Sequence, residues 1–195
     1  MSSDNAPDTT LDTALLFDVV DLVGRTGSHR HVERTVPAPP REAGGVAMQV
    51  PEGQDIAVEA ELESVVEGIY AHGTVTAHLE GECSRCLDPV DQDIATRFDE
   101  LFLYPEKVKA EEREDSVLLV DDEVRLGPVV RDTLAVEADE RPLCREDCPG
   151  LCAQCGFRME DDPDHHHEVI DERFAALKGL FDEDPKDDDA QDGKA

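Results

Sequence analysis

Four cysteines occupy a twelve-residue window, Cys144-x3-Cys148-x3-Cys152-x2-Cys155, with Gly150 and Gly156 at the turns between and after them. Thiolates this close on a Gly- and Pro-punctuated loop suit a tetrahedral Zn²⁺, which takes four soft donors at about 2.3 Å and has no redox chemistry of its own. The half Cys152-Ala153-Gln154-Cys155-Gly156 has the form of a zinc knuckle. Two residues separate the sulfurs, and the glycine that follows can take positive φ while nearby amides face sulfur. Buried structural cysteines or a disulfide cluster are the competing readings, and the spacing favours a structural metal site. The chain shows no nucleophile motif, phosphate loop or paired-acid signature. An all-Cys zinc site is closed, whereas catalytic zinc keeps an open position, so the expectation is a protein that is not an enzyme.

A second motif, Cys83-Ser84-Arg85-Cys86, stands at the end of a strand pattern. It could supply half of a zinc ribbon with Cys152 and Cys155 as the other half, pack as two thiols beside the metal module, or act as a redox pair. A redox C-x-x-C opens a helix in a βαβ unit, and the strand context here disfavours that role. Six cysteines do not divide into two closed sites. His165 and His167, from the run His165-His166-His167, bring the ligand count to eight, enough for two, although a His run also serves as a polar linker.

The elements that must position these residues read as strands first and helices later, an α+β class. Ala14–Val23 is apolar with β-branched enrichment and predicts a strand; Gly24–Arg34 predicts a loop. Ile56, Val58, Ala60 and Leu62 alternate with acids, as do Ile69, Ala71, Val75, Ala77 and Leu79 after a turn at Glu67-Gly68, which predicts an antiparallel hairpin. A further strand runs through Ile94, Phe98 and Leu101–Tyr104, a charged loop fills 105–116, and Val117–Val120 predicts a short strand. Pro128 suits the first position of a helix, whose apolar stripe is Val129, Val130, Leu134 and Val136. The Cys-rich module (141–168) follows, then an amphipathic helix through Phe174, Leu177 and Leu180. The whole predicts an antiparallel sheet or partial barrel, a helix, the knuckle and a C-terminal helix, as one domain over 11–181. Tails at 1–10 and 182–195, the latter acidic, carry nothing to bury and are expected to be disordered.

Charge limits the partners. Forty-eight acids against 18 bases give a net charge of -30. Such a surface repels phosphate backbones within a Debye length of roughly 8 Å and favours a basic protein partner. The N-terminus lacks the basic and apolar regions of a secretory signal, and no apolar run approaches the ~20 residues of a membrane span, so a cytoplasmic protein in reducing conditions is expected. Arg25, Arg30, Arg34 and Arg41, with His29 and His31, form the one locally basic stretch. Arg25, Arg30 and Arg34, with Arg85 and Arg145 beside the cysteines, are the candidates for a partner or RNA contact; pairing with the chain's own carboxylates is the competing role.

Gly81-Glu82-Cys83-Ser84-Arg85-Cys86-Leu87-Asp88-Pro89, followed by Arg141-Pro142-Leu143-Cys144-Arg145-Glu146-Asp147-Cys148-Pro149-Gly150-Leu151-Cys152-Ala153-Gln154-Cys155-Gly156, resembles the YceD family, also called DUF177. Ile170-Asp171-Glu172-Arg173-Phe174-Ala175-Ala176-Leu177 resembles its C-terminal signature. The resemblance implies a bacterial cytoplasmic protein linked to accumulation of 23S rRNA, with large-subunit rRNA, a pre-50S particle or a basic ribosomal protein as partner and no membrane or small-molecule substrate. Some relatives carry Cys-x-Cys where this chain has the His run, which supports His165 and His167 as ligands. A zinc-containing protein-interaction adaptor without RNA contact, for example in transcription, is the alternative.

Overall fold

The computed structural model describes residues 11–40 and 43–167. The chain runs α1 (Leu11–Ala14), β1 (Leu16–Asp18), β2 (His29–Pro37), β3 (Met48–Gln49), β4 (Asp55–Ser64), β5 (Gly68–Glu82), β6 (Pro89–Leu103), β7 (Glu123–Arg125) and α2 (Leu126–Glu137). The architecture is α+β, dominated by an antiparallel sheet. Strand β5 is its spine, pairing with β6 along its whole length, with β4 over Ile69–Thr76 and with β3 at its far end; β2 adds to the outer side of β4.

The period-two pattern explains the sheet. Ile56, Val58, Ala60 and Leu62 on β4, Ile69, Ala71, Val75, Ala77 and Leu79 on β5, and Ile94, Phe98 and Phe102 on β6 are all buried on one face. Helix α2 lies over that face with Val130 and Leu134 buried, joined by Leu11, Leu15 and Val19 from the N-terminal segment. The expected hairpin and long third strand are present, and so is the helix. Its stripe is shifted toward the start of the helix relative to the sequence expectation, because Leu126 and Gly127 join the core while Val136 is 82% exposed. Pro128 is the third helical residue, where a missing N–H is still harmless.

Three local expectations need correction. The predicted strand over 14–23 shortens to Leu16–Asp18, paired with β7. Asp18 Oδ1 accepts the Val20 N–H at 2.9 Å, and the Val19 carbonyl then accepts the N–H groups of Leu22 and Val23, which turns the chain out of the ladder. The expected loop over 24–34 ends at Ser28, and Arg30 and Arg34 lie on β2. They occupy the inward parity with Val32 and Val36, and charged residues there hide the alternation. Val117–Val120 makes only isolated bridges, Leu118 to Leu103 and Val120 to Glu123; the ladder falls on β7 instead. The segment 105–116 contains two short 3-10 turns. The expected C-terminal helix and both tails lie outside the described residues.

Phe102 is 1% exposed at the centre of the layer between β6 and α2. Phe102→Ala should cost about 3–5 kcal/mol through lost transfer energy and a residual cavity, read from denaturant midpoints at constant metal loading. A loss below about 1 kcal/mol would show that the layer collapses around the site.

Candidate metal centres

The β5–β6 turn is built as a knuckle. Cys83 N–H donates to the Asp88 carbonyl at 2.7 Å and Leu87 N–H to the Cys83 carbonyl at 2.9 Å, so residues 83–88 wrap into one tight turn with Leu87 at φ +64°. Sixty-nine residues on, the same pattern recurs. Cys152 N–H donates to the Phe157 carbonyl at 2.8 Å and Gly156 N–H to the Cys152 carbonyl at 2.9 Å, with Gly156 at φ +73°.

Each knuckle is completed by a pair of residues from elsewhere. Cys83 and Cys86 meet Cys144 and Cys148, with Sγ–Sγ distances of 3.8 Å (Cys83–Cys148) and 3.5 Å (Cys86–Cys144). Cys152 and Cys155 meet His165 and His167. In each tetrad all four ligand atoms lie within 4.8 Å of one another. The cysteine window therefore divides between two centres rather than forming one, and the ribbon partner of Cys83/Cys86 is Cys144/Cys148, not Cys152/Cys155. Gly150 makes the division. Its φ of +77° turns the chain away after Cys148, and a Cβ there would sit 2.9 Å from the Arg85 carbonyl oxygen.

The first tetrad is the buried one. Cys83, Cys86 and Cys148 are 0%, 7% and 3% exposed, packed with Val90 and Leu143, while Cys144 faces solvent. A tetrahedron with Zn–S bonds of about 2.3 Å has edges of about 3.8 Å, which the Cys83–Cys148 separation matches. Burial opposes ionisation of Cys83, but backbone N–H groups of Cys144, Arg85 and Cys86 outweigh it and hold its pKa at about 6. Cys86 shifts the other way. The Asp88 amide favours its thiolate, yet burial and the sulfurs of Cys83, Cys144 and Cys148 push its pKa far up. One thiolate forms readily and its neighbours resist a second, a conflict that a bound dication resolves. In the second knuckle, backbone N–H groups of Gln154 and Cys155 bring Cys152 down to about 6.

Asp88 and Arg158 lock the two knuckles together. Arg158 donates from Nη1 to Asp88 Oδ1 at 2.8 Å and from Nη2 to Oδ2 at 2.6 Å, a bidentate pair. Asp88 consequently sits at about 2, well below the usual carboxylate range, with the Cys86 thiol adding to the effect. The sequence reading missed this pair; Asp88 two residues after the C-x-x-C is its only trace. Leu151 N–H to the Arg85 carbonyl at 2.9 Å is a second tie.

Four of the five arginines singled out as partner contacts are engaged within the chain. Arg30 pairs with Asp21 at 2.9 Å and donates to the Asp18 carbonyl. Arg34 donates to the carbonyls of Ala14 and Leu16 and lies 4.5 Å from the Phe17 ring centre. Arg85 donates to the Cys148 carbonyl at 2.9 Å, and Arg145 pairs with Asp147 and Glu160. Arg25 is exposed on the turn before β2, and Arg41 lies outside the described residues.

An antiparallel-sheet protein carrying two cysteine knuckles that could hold metal is the class these features define. Residues 71–181 match the family described as large ribosomal RNA subunit accumulation protein YceD, and the chain belongs to that family. The uncharacterized protein Rv2926c of Mycobacterium tuberculosis is 37% identical over 165 residues, covering 84% of this chain and 79% of the relative. The uncharacterized protein ML1660 of Mycobacterium leprae is 36% identical over 174 residues, covering 88% and 79%. No solved structure matches the chain. Membership gives a family-level tie to ribosomal RNA accumulation, in a family not known for enzymes. Among the described residues no helix is long and apolar enough to cross a membrane.

Leu87 holds a left-handed backbone that costs a non-glycine residue roughly 1–2 kcal/mol. Its side chain is 59% exposed, so little packing depends on it. Leu87→Gly should leave stability unchanged or raise it by up to about 1 kcal/mol, the gain limited by glycine's larger unfolded-state entropy. Leu87→Val should lower it, since a β-branched residue fits that conformation worse. Denaturant midpoints of the metal-loaded protein check both, and a clear loss in the glycine variant would refute the strain.

Proposed function

We propose that this chain is a zinc-stabilised, non-enzymatic factor in ribosome biogenesis, supporting accumulation of 23S rRNA and large-subunit assembly through contact with a basic protein on the pre-50S particle. The tie to the ribosome rests on family membership. Cys83, Cys86, Cys144 and Cys148 would hold the zinc. The soft donor set, the spacing of the sulfurs and the N–H groups around Cys83 suit a closed structural site, which has no vacant position for a reaction.

One observation carries the chemistry of the partner. The solvent face of the sheet presents Glu33 on β2, Glu59, Glu61 and Glu63 on β4, Glu80 on β5, and Asp91, Asp93 and Asp99 on β6. Among the described residues, Arg97 is the one Lys or Arg side chain on that face. A broad negative sheet opposes a phosphate backbone and steers a basic protein toward it. Engagement of Arg30, Arg34, Arg85 and Arg145 within the chain favours action through such a protein over direct contact with rRNA. That observation also supports the adaptor reading, from which sedimentation with pre-50S particles separates it.

Charge reversal tests the proposal. A variant carrying Glu59→Lys, Glu61→Lys and Asp93→Lys should retain its fold and metal yet lose co-sedimentation with pre-50S particles. In a deletion strain it should fail to restore 23S rRNA. Association of the wild type should weaken as salt rises, because steering is screened beyond roughly 8–10 Å. Full complementation by the triple variant would overturn the surface assignment. Absence of any particle association in the wild type would overturn the ribosomal reading.

The same face supplies a pH probe. His78 Nδ1 lies 2.7 Å from Asp93 Oδ1 and its Nε2 3.9 Å from Glu80. The Asp93 bond raises the His78 pKa against desolvation, with further help from the charges of Asp93, Asp91 and Glu80. A raised histidine binds its proton more tightly when folded. Its stabilisation is therefore complete below about pH 6.5, the unfolded value, and is lost as pH rises through the folded pKa. Asp93→Asn should lower the His78 pKa in an NMR titration and flatten this part of the stability profile. An unchanged titration would show that the pair does not persist in solution.

A further inference from the structure

Two knuckles of one backbone design differ in how they are closed and in how far water reaches them. We propose that Cys152, Cys155, His165 and His167 form a second zinc site, and that this site exchanges its metal with solvent much faster than the Cys83/Cys86/Cys144/Cys148 centre. The second site is argued from its own geometry; the comparison of rates rests on the first centre being a zinc site.

The backbone supplies the first argument. Residues 152–157 repeat both hydrogen bonds of residues 83–88 and the positive φ at the residue after the second cysteine. A loop of ordinary turn chemistry has no need of that pattern. The donors supply the second. Cys155 Sγ lies 3.2 Å from His165 Nε2 and 3.1 Å from His167 Nε2, and the two Nε2 atoms are 2.9 Å apart. Mixed S/N coordination at about 2.3 Å and 2.0–2.1 Å has edges of roughly 3.3–3.6 Å, so a modest outward adjustment admits the ion. The rings are also selected. Phe157 stacks on His165 at 4.5 Å and 25°, while His166 turns its Nδ1 to the Asp164 carbonyl and stays out of the cluster. The stack on Phe157 limits rotation of the His165 ring.

Exposure sets the difference in exchange. Three of the four cysteines in the first tetrad are at most 7% exposed. In the second, Cys155 and His167 are exposed, Cys152 and His165 are half-buried, and a recess of about 420 Å³ opens onto Cys152, His165 and His167. Two neutral imidazoles replace two thiolates, so the formal ligand charge facing the ion is halved and the electrostatic hold falls with it. A chelator can approach the second ion along the recess. At the first it must displace sulfurs packed against Val90 and Leu143.

Tag-free full-length protein, purified with zinc and desalted, tests this by elemental analysis and by transfer of zinc to a colorimetric chelator. Wild type should hold about two equivalents and release them in a fast and a slow phase. Cys155→Ser, and separately His165→Ala with His167→Ala, should each drop the content to about one and abolish the fast phase only. Cobalt titration of the wild type needs no variant. It should show two spectra, one of S₄ type and one of mixed S₂N₂ type, with the S₂N₂ component removed first by chelator. One equivalent in the wild type released in the slow phase alone with no S₂N₂ spectrum, or a fast phase that survives both variants, would overturn the second site. A first centre that is not a zinc site shows differently, as an absent S₄ spectrum and a slow phase missing from the wild type.

Discussion

Four thiols held within 4.8 Å of one another cannot all ionise without a cation among them, and the protein around the first tetrad is arranged so that they cannot move apart. Cys83 and Cys86 are fixed by the turn of the longest hairpin in the sheet, whose ladder runs unbroken from Gly68 to Glu82 against Leu103 to Pro89. Cys144 and Cys148 arrive after α2 and are held by Ser84 N–H on the Pro142 carbonyl and by Arg85 on the Cys148 carbonyl. The sheet therefore positions one half of the centre and the helix delivers the other. Asp88 carries the restraint onward. Its backbone carbonyl closes the first knuckle, and its carboxylate grips Arg158 beyond the second.

The fold was legible where one physical signal acted alone. Alternation in β4 and β5 faces no competing demand, so the hairpin follows from the sequence. It failed where a polar side chain performs a structural task. Arg30 and Arg34 face inward on β2, and Asp18 redirects the backbone after β1; each removes an apolar residue or a ladder bond that the pattern would require. Among the candidate ligands, the eight residue identities could be read from type and spacing, while the partition into tetrads could not. Cys83 and Cys144 are sixty-one positions apart in sequence, and only the path of the chain across the sheet and back through α2 shows that they meet.

The charge distribution follows a related logic. A chain with a net charge of -30 must hold its few arginines where they do structural work. Arg34 satisfies two backbone carbonyls of the N-terminal segment and covers Phe17, Arg131 pairs with Asp12 at the start of α1, and Arg158 joins the knuckles. Each such cation links segments distant in sequence, which single surface pairs between neighbours do not accomplish. Part of the negative charge left over lies on the sheet's free face, where acids on β2, β4, β5 and β6 have Arg97 as their one Lys or Arg neighbour among the described residues.

The two knuckles are unequal, and the residue closing each turn reflects the inequality. A left-handed backbone at a non-glycine residue persists only where the surroundings over-determine it. Leu87 meets that condition, standing between buried Cys86 and the doubly tied Asp88 with β6 beginning two residues later. The corresponding position in the second knuckle lies among exposed residues with nothing within 4 Å of where a Cβ would be. No packing there could hold a strained turn, and the residue is Gly156. Rigidity at the first centre comes from packing, whereas at the second it comes from the knuckle's own backbone hydrogen bonds and from the pair of Arg158 with Asp88.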